Sequence, residues 1–132
     1  MFEIFNYSSD QINKYYQAAV KDLRLAISAG APELVFYACY NVIVKTAMAV
    51  CAKNNLRVKS RAGHHIELIG KLAEYLKDQE IEDIANKMRT KRNKDLYDGG
   101  TITTKKEAES YIVFCKKLIK ETDNYLFPDK LL

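Results

Sequence analysis

The chain has 132 residues, of which 48% are hydrophobic and 29% are charged, and its formal net charge is +4. This length suits one domain, and the large apolar fraction with charges of both signs argues against a disordered chain. Gly (5) and Pro (2) are scarce, which leaves long stretches free to form helices. We therefore expect a single domain over residues 1–132 with an all-α fold.

The first helix is predicted over residues 9–29, because apolar side chains recur there on one helical face. Ser8 and Ser9 precede it and are candidate N-caps, since a hydroxyl can accept a hydrogen bond from the first turn. Gly30 follows it and is a candidate left-handed stop.

The second helix begins at Pro32, a residue favoured in the first helical turn, and runs to about Lys53. It is apolar nearly all round, which predicts a position at the centre of the bundle. The segment is almost long enough to span a bilayer. Lys45 lies in its middle, however, and a lysine there is costly in lipid. The sequence therefore favours the central helix of a soluble bundle over a membrane span.

Three further helices complete the predicted fold. A basic loop over residues 56–63 leads to a third helix over 64–76 and a fourth over 80–97. The fifth begins after Thr104, whose spacing to Glu107 is that of a capping box. Short connections favour antiparallel neighbours, so we expect an up-and-down bundle of four to five helices.

Cysteine usage indicates a reducing compartment. Cys39, Cys51 and Cys115 are odd in number, lie within apolar helical patterns and are predicted to be buried free thiols. No CxxC pair is present, so a structural zinc site is not expected. The adjacent His64 and His65 cannot share one helical face and no acidic cluster accompanies them, so no other metal is expected, and no cofactor is predicted. Residues 1–4 lack the basic and apolar runs of a signal peptide, which predicts a cytoplasmic protein.

Two segments rich in lysine and arginine could form an anion-binding face, although such runs also serve only as solvated surface. Neither segment contains an acidic residue across its basic positions. The candidate nucleic-acid-binding residues are Arg57, Lys59 and Arg61 in the first segment, and Lys87, Arg89, Lys91 and Lys94 in the second.

Arg92 interrupts the apolar stripe of the fourth helix. It occupies an inward register, where a buried guanidinium must find a partner. Asp95 lies one turn further on and could pair with it for purely structural reasons. Asn93 is adjacent and offers both a donor and an acceptor. The alternative is that Arg92 marks a functional site.

The run from Arg92 to Asp98 resembles the signature of the HEPN superfamily (higher eukaryotes and prokaryotes nucleotide-binding). It stands near the end of a long helix, after a central helix rich in small residues and the stretch 63–68. The resemblance covers about residues 16–125 and implies a four- or five-helix bundle that usually dimerises. Many members are metal-independent ribonucleases of toxin–antitoxin and defence systems, and others bind RNA or partner proteins without catalysis.

The resemblance also assigns roles to residues. Arg92 matches the motif arginine that stabilises phosphate charge, and Asn93 matches the polar residue after it. Tyr97 stands where the nucleases carry a proton-transferring histidine. An ordinary tyrosine hydroxyl stays protonated at neutral pH and is a poor base. Two other histidines, His64 and His65, are weaker candidates, because either could approach Arg92 from the third helix.

Three hypotheses follow. In the first, the protein is a metal-independent ribonuclease. In the second, it is a non-catalytic HEPN module that binds RNA or nucleotide, or that docks a partner such as a nucleotidyltransferase or an antitoxin. The third is a structural module in which Arg92 and Asp95 only stabilise the fold. The replacement of the histidine favours the second, and a homodimer is expected because the family's sites form between two chains.

Overall fold

The computed structural model describes residues 2–59, 64–97 and 102–131, apart from the side chains of residues 95–97, 130 and 131. Five α-helices lie within these residues: α1 (Ser9–Ser28), α2 (Pro32–Lys53), α3 (His64–Leu76), α4 (Gln79–Tyr97) and α5 (Lys105–Leu126). Two three-residue strands, β1 (Phe2–Ile4) and β2 (Leu56–Val58), and a short 3-10 helix, Pro128–Leu131, complete the description. The prediction of an all-α bundle is confirmed.

The starts of α1 and α5 are fixed by matching capping boxes. The Ser8 hydroxyl accepts from the Gln11 backbone N–H at 3.2 Å, and the Gln11 side chain accepts from the Ser8 N–H at 2.8 Å. Thr104 and Glu107 make the same two bonds, both at 3.0 Å. Each box satisfies two backbone donors that a helix start leaves free. Of the two predicted serines, Ser8 is the N-cap.

The ends of α1 and α3 differ in the way they stop. Gly30 does not take up the predicted left-handed conformation, because α1 ends on Ala29 in an extended conformation with φ of −70°. Lys77 instead adopts the left-handed conformation after α3, with φ of 56°. The Asp78 N–H then donates to the Ala73 carbonyl at 3.1 Å. This six-to-one bond is the Schellman arrangement, and it produces the sharp turn into α4.

Helix α2 lies at the centre of the bundle, as predicted. By length and composition it could cross a membrane, but 61% of its most apolar window is buried inside the structure. Its one central charge, Lys45, pairs with Asp22 of α1, with 2.6 Å between Nζ and Oδ2. The packing of α2 is therefore that of a core helix whose lysine is neutralised by a neighbouring helix.

Side-chain contacts show that α5 runs in the same direction as α2. Near the start of both helices, the rings of Phe36 and Tyr111 lie 5.5 Å apart between centroids. At the far end, the Asn54 amide donates to the Tyr125 hydroxyl at 3.0 Å. The buried Cys115 thiol contacts the Cys39 carbonyl between these points at 3.6 Å, so the two helices stay together along their length.

The connection from α2 to α3 departs from strict up-and-down alternation. Helix α3 starts beside Tyr40, in the first half of α2, and ends near Tyr125. It therefore runs in the same direction as α2, and the chain must first return along the bundle. The predicted basic loop does this partly as strand β2, which pairs antiparallel with β1. Three-residue strands are too short to show an alternating pattern, so the sequence did not predict them.

Candidate nucleic-acid interface

The charges of α4 are sorted along its length. Glu80 and Glu82 lie in its first turn, whereas the basic run ends with Lys94 in its last turn. This distribution complements the helix dipole and stabilises the helix whatever the function is. The basic run alone is therefore weak support for a site, and the surroundings of Arg92 are more informative.

Arg92 lies in the inward register that its spacing predicts. Three apolar residues of the same stripe, Ile81, Ala85 and Met88, are buried in the core, and Arg92 is half-buried. Its guanidinium carbon lies 5.6 Å from the centroid of the Tyr40 ring. A cation over an aromatic face is stabilised by the ring quadrupole, so Tyr40 holds the arginine without neutralising its charge.

No carboxylate forms a salt bridge with Arg92 among the side chains that the structure describes. The predicted partner, Asp95, is on α4, but its side chain lies outside the described residues, as does that of Tyr97. The Arg92–Asp95 pair and the role of Tyr97 therefore stay predictions.

His65 joins the same aromatic ring from α3. Its Nδ1 atom and the Tyr40 hydroxyl share a hydrogen bond of 2.9 Å. Burial lowers the pKa of His65, and the neighbouring His64, Arg92 and Arg89 lower it further. Burial raises the pKa of the Tyr40 phenol, against a smaller opposite effect of the two arginines. At neutral pH both partners are therefore uncharged.

Helices α2, α3 and α4 bring four side chains together: Tyr40, His65, Arg89 and Arg92. Arg89 is half-buried, and its Nε donates to the Asn86 side chain at 3.4 Å. We call Tyr40, His65, Arg89 and Arg92 the Tyr40 cluster. The sequence predicts Arg89 and Arg92 as site residues and allows His65 to approach Arg92. It does not indicate Tyr40, which lies within the apolar pattern of α2.

The other predicted residues of α4 surround this cluster or point to solvent. The Lys91 amine lies 5.6 Å from the centroid of Phe36, one turn before Tyr40 on α2. Lys87 is exposed and lines a shallow recess with Asp83, Asn86 and Thr90. Asn93 and Lys94 are also exposed. The end of α4 thus presents several cations to solvent beside the Tyr40 cluster.

Arg57, the first residue of the other basic segment, lies away from the Tyr40 cluster. Arg57 lies on β2, beside Met48 and Cys51 in the second half of α2. Met48 is eight residues beyond Tyr40, or about 12 Å along the helix axis. Arg57 also pairs with Glu3, with 2.6 Å between its guanidinium and the carboxylate, and it covers the Phe5 ring. Its charge is therefore already balanced.

The nucleic-acid contacts predicted for Lys59 and Arg61 stay predictions. Lys59 is exposed, and Arg61 lies outside the described residues. His64 contacts His65, with 4.4 Å between ring centroids. Across the described ranges, no group of three or more His, Cys, Asp or Glu side chains could hold a metal ion. Among the described residues, the cations of α4 lie beside the Tyr40 cluster and form the candidate interface.

The fold and the Tyr40 cluster define an all-helical bundle with a cationic site at the end of its fourth helix. A family model for the HEPN domain matches residues 13–125 of this chain. The match covers most of the chain, and the protein belongs to the HEPN family. Its members are generally connected with RNA or bind nucleotides. Neither a curated protein nor a solved structure matches the chain.

Proposed function

We propose that this HEPN domain binds RNA through phosphate contacts made by the last three turns of α4, with Arg92 as the central contact. The observation that carries the proposal is the placement of Arg92 over the Tyr40 ring, where it is half-buried and has no salt bridge with a described carboxylate. A guanidinium in such a place retains its full charge and its planar array of N–H donors.

An RNA phosphate suits these donors. Arginine can offer two parallel N–H groups to two phosphate oxygens, and such charge-assisted bonds are stronger than neutral ones. Partial burial strengthens the interaction, because less water screens it. The neighbouring exposed cations Lys87 and Lys94 add longer-range attraction along the strand.

The experiment measures the fluorescence anisotropy of a labelled single-stranded RNA of 20 nucleotides as protein is added. Wild type is compared with Arg92→Ala, Arg92→Lys and Lys116→Ala. The last is the matched control, because it removes one positive charge from an exposed position on α5. Each titration is repeated between 50 and 200 mM salt.

Wild-type affinity should fall as salt rises, because phosphate contacts release counterions. Arg92→Ala should weaken binding by about 10- to 100-fold, the equivalent of one charge-assisted hydrogen bond. Arg92→Lys should recover part of the loss, since it keeps the charge but not the planar fork. An affinity that does not change with salt concentration would contradict the proposal. So would a loss of affinity in the Lys116→Ala control as large as that in Arg92→Ala.

A ribonuclease is the second candidate function, and the observation in its favour is that an imidazole, His65, belongs to the same cluster as Arg92. Incubating the same RNA with wild type and Arg92→Ala in EDTA separates the two candidates. Cleavage by wild type alone would establish a metal-independent nuclease. Three further predictions come from the family resemblance alone. They are a role in a toxin–antitoxin or defence system, a homodimer, and a nucleotidyltransferase or antitoxin as partner.

A further inference from the structure

We propose that His65 is a second phosphate ligand beside Arg92, and that Tyr40 holds it as a neutral imidazole whose Nε2–H donates to a phosphate oxygen. The inference rests on the proposed RNA binding and adds a residue from outside the motif helix. It also gives His65 a role as a hydrogen-bond donor, rather than as the base that replaces the missing motif histidine.

The hydrogen bond between Tyr40 and His65 has a defined direction. The Tyr40 side chain is buried, and within the described part of the chain its hydroxyl bonds to His65 Nδ1. A buried hydroxyl that finds no acceptor is unfavourable. Tyr40 therefore donates, and Nδ1 accepts. A neutral imidazole that accepts at Nδ1 carries its own hydrogen at Nε2.

The surroundings of the His65 ring disfavour a positive charge on it. The groups that face His65 are Tyr40 of α2, Arg89 and Arg92 of α4, and the adjacent His64. Burial is the largest cause that disfavours an imidazolium, and His64, Arg92 and Arg89 disfavour it further, so the pKa of His65 is lowered. Protonation would also have to occur at Nδ1, the nitrogen that the Tyr40 hydroxyl occupies. At pH 7 His65 is therefore uncharged, and while the Tyr40 hydroxyl is bonded to Nδ1 the ring has no free basic nitrogen to offer a ribose hydroxyl.

The Tyr40 ring positions both Arg92 and His65. Arg92 lies over the face of the Tyr40 ring, 5.6 Å from its centroid, and His65 is bonded to the hydroxyl of the same ring. Both side chains are half-buried, so each reaches from the core towards solvent. His65 also lies in the first turn of α3, where the helix dipole adds positive potential. A phosphate held by Arg92 can thus meet an uncharged second donor fixed by the same tyrosine.

The tautomer is tested directly by nitrogen-15 NMR of the imidazole ring in the intact protein at pH 7. The expected spectrum shows a neutral ring protonated at Nε2. In Tyr40→Phe the hydroxyl is removed, so the pKa of His65 should rise relative to wild type. A wild-type ring protonated at Nδ1, or an imidazolium at pH 7, would overturn the inference.

The ligand role is tested with the labelled RNA, using His65→Ala and His65→Gln. His65→Ala should weaken binding by about 2- to 10-fold, the range expected for one neutral hydrogen bond. Gln can donate from its amide, so His65→Gln should restore part of the affinity. Circular dichroism melting of each variant confirms that the bundle is folded at the assay temperature.

The pH dependence separates a neutral donor from a cation. The ratio of wild-type to His65→Ala affinity should stay constant between pH 7 and 8. A ratio that grows as the pH falls would show that His65 binds as an imidazolium and would overturn the inference. Binding that is weakened by Arg92→Ala but unaffected by His65→Ala would also overturn it while leaving the proposed function intact. Failure of wild type to bind RNA would overturn both.

Discussion

The ion pair between Lys45 and Asp22 gives the sharpest test of how the apolar helix α2 is accommodated. Its two charged atoms lie 2.6 Å apart, and the side chains are 37% and 11% exposed, respectively. At an effective dielectric constant near ~20, the direct attraction is about 6 kcal/mol. Desolvation of the Asp22 carboxylate offsets most of this attraction. The ion pair should therefore contribute a net amount of about 2 kcal/mol to the free energy of unfolding, which lies between the values for surface pairs and for fully buried pairs.

The two single substitutions should differ in size. Asp22→Ala should lower the free energy of unfolding by about 1–2 kcal/mol, because the freed lysine can reach water. Lys45→Ala should lower it by about 2–4 kcal/mol, because it leaves a buried carboxylate unpaired. For a chain of this length each kcal/mol corresponds to about 3–5 °C in Tm.

The assay is urea denaturation of wild type, both single variants and the double variant. The double variant should be more stable than the sum of the single effects predicts, with a coupling of about 1–2 kcal/mol. Lys117→Ala is the control, because its pair with Glu121 is longer at 3.8 Å and more exposed, and it should cost less than about 1 kcal/mol. Additive effects of the two substitutions would refute the view that this pair accommodates the lysine in α2.

Two other predictions concern the helices. Gly70→Ala should raise the free energy of unfolding by about 0.5–1 kcal/mol, because Gly70 lies inside α3, where alanine is the better helix former. The added Cβ would make an ordinary 3.4 Å contact with the Glu82 side chain. Thermal denaturation measures the change, and a lower Tm would show that α3 tolerates no methyl group at this position. Glu107→Gln should keep the capping bond but lose its charge. Hydrogen bonds from Thr104 lower the pKa of Glu107 in the folded protein. The ionised carboxylate therefore stabilises the fold at pH values above the pKa of an ordinary carboxyl group, and this stabilisation is lost as the pH falls through the folded-state pKa. The stability gap between wild type and Glu107→Gln should therefore close on acidification, and a gap that is constant from pH 7 to pH 3 would contradict the assignment.

Helix positions were predictable from the sequence because they depend on local patterns. The apolar stripes, the Thr104 capping box and the inward register of Arg92 all arise from spacing within a single helix. The pairing of β1 with β2 was missed, because each strand is three residues long. The direction of α3 also depends on a connection that local periodicity does not describe.

The Tyr40 cluster shows why the site was harder to predict than the fold. In the sequence Tyr40 is one of several apolar residues of α2, and it is twenty-five residues from His65. Only the packing of α2, α3 and α4 brings its ring to both Arg92 and His65. Conversely, Arg57 appeared equivalent to the α4 cations in the sequence, but its pairing with Glu3 depends on the strand pair.

RNA binding at the end of α4 is tested most directly by two-dimensional NMR of the uniformly nitrogen-15-labelled protein, which maps the contact residue by residue. Addition of the single-stranded RNA should shift the backbone amide signals of Tyr40, His65 and the α4 stretch 89–94. Signals of the acidic turn between α3 and α4, around Asp78 and Glu80, should stay in place. Shifts confined to that turn or to the strand pair, or no shifts at all, would contradict the account.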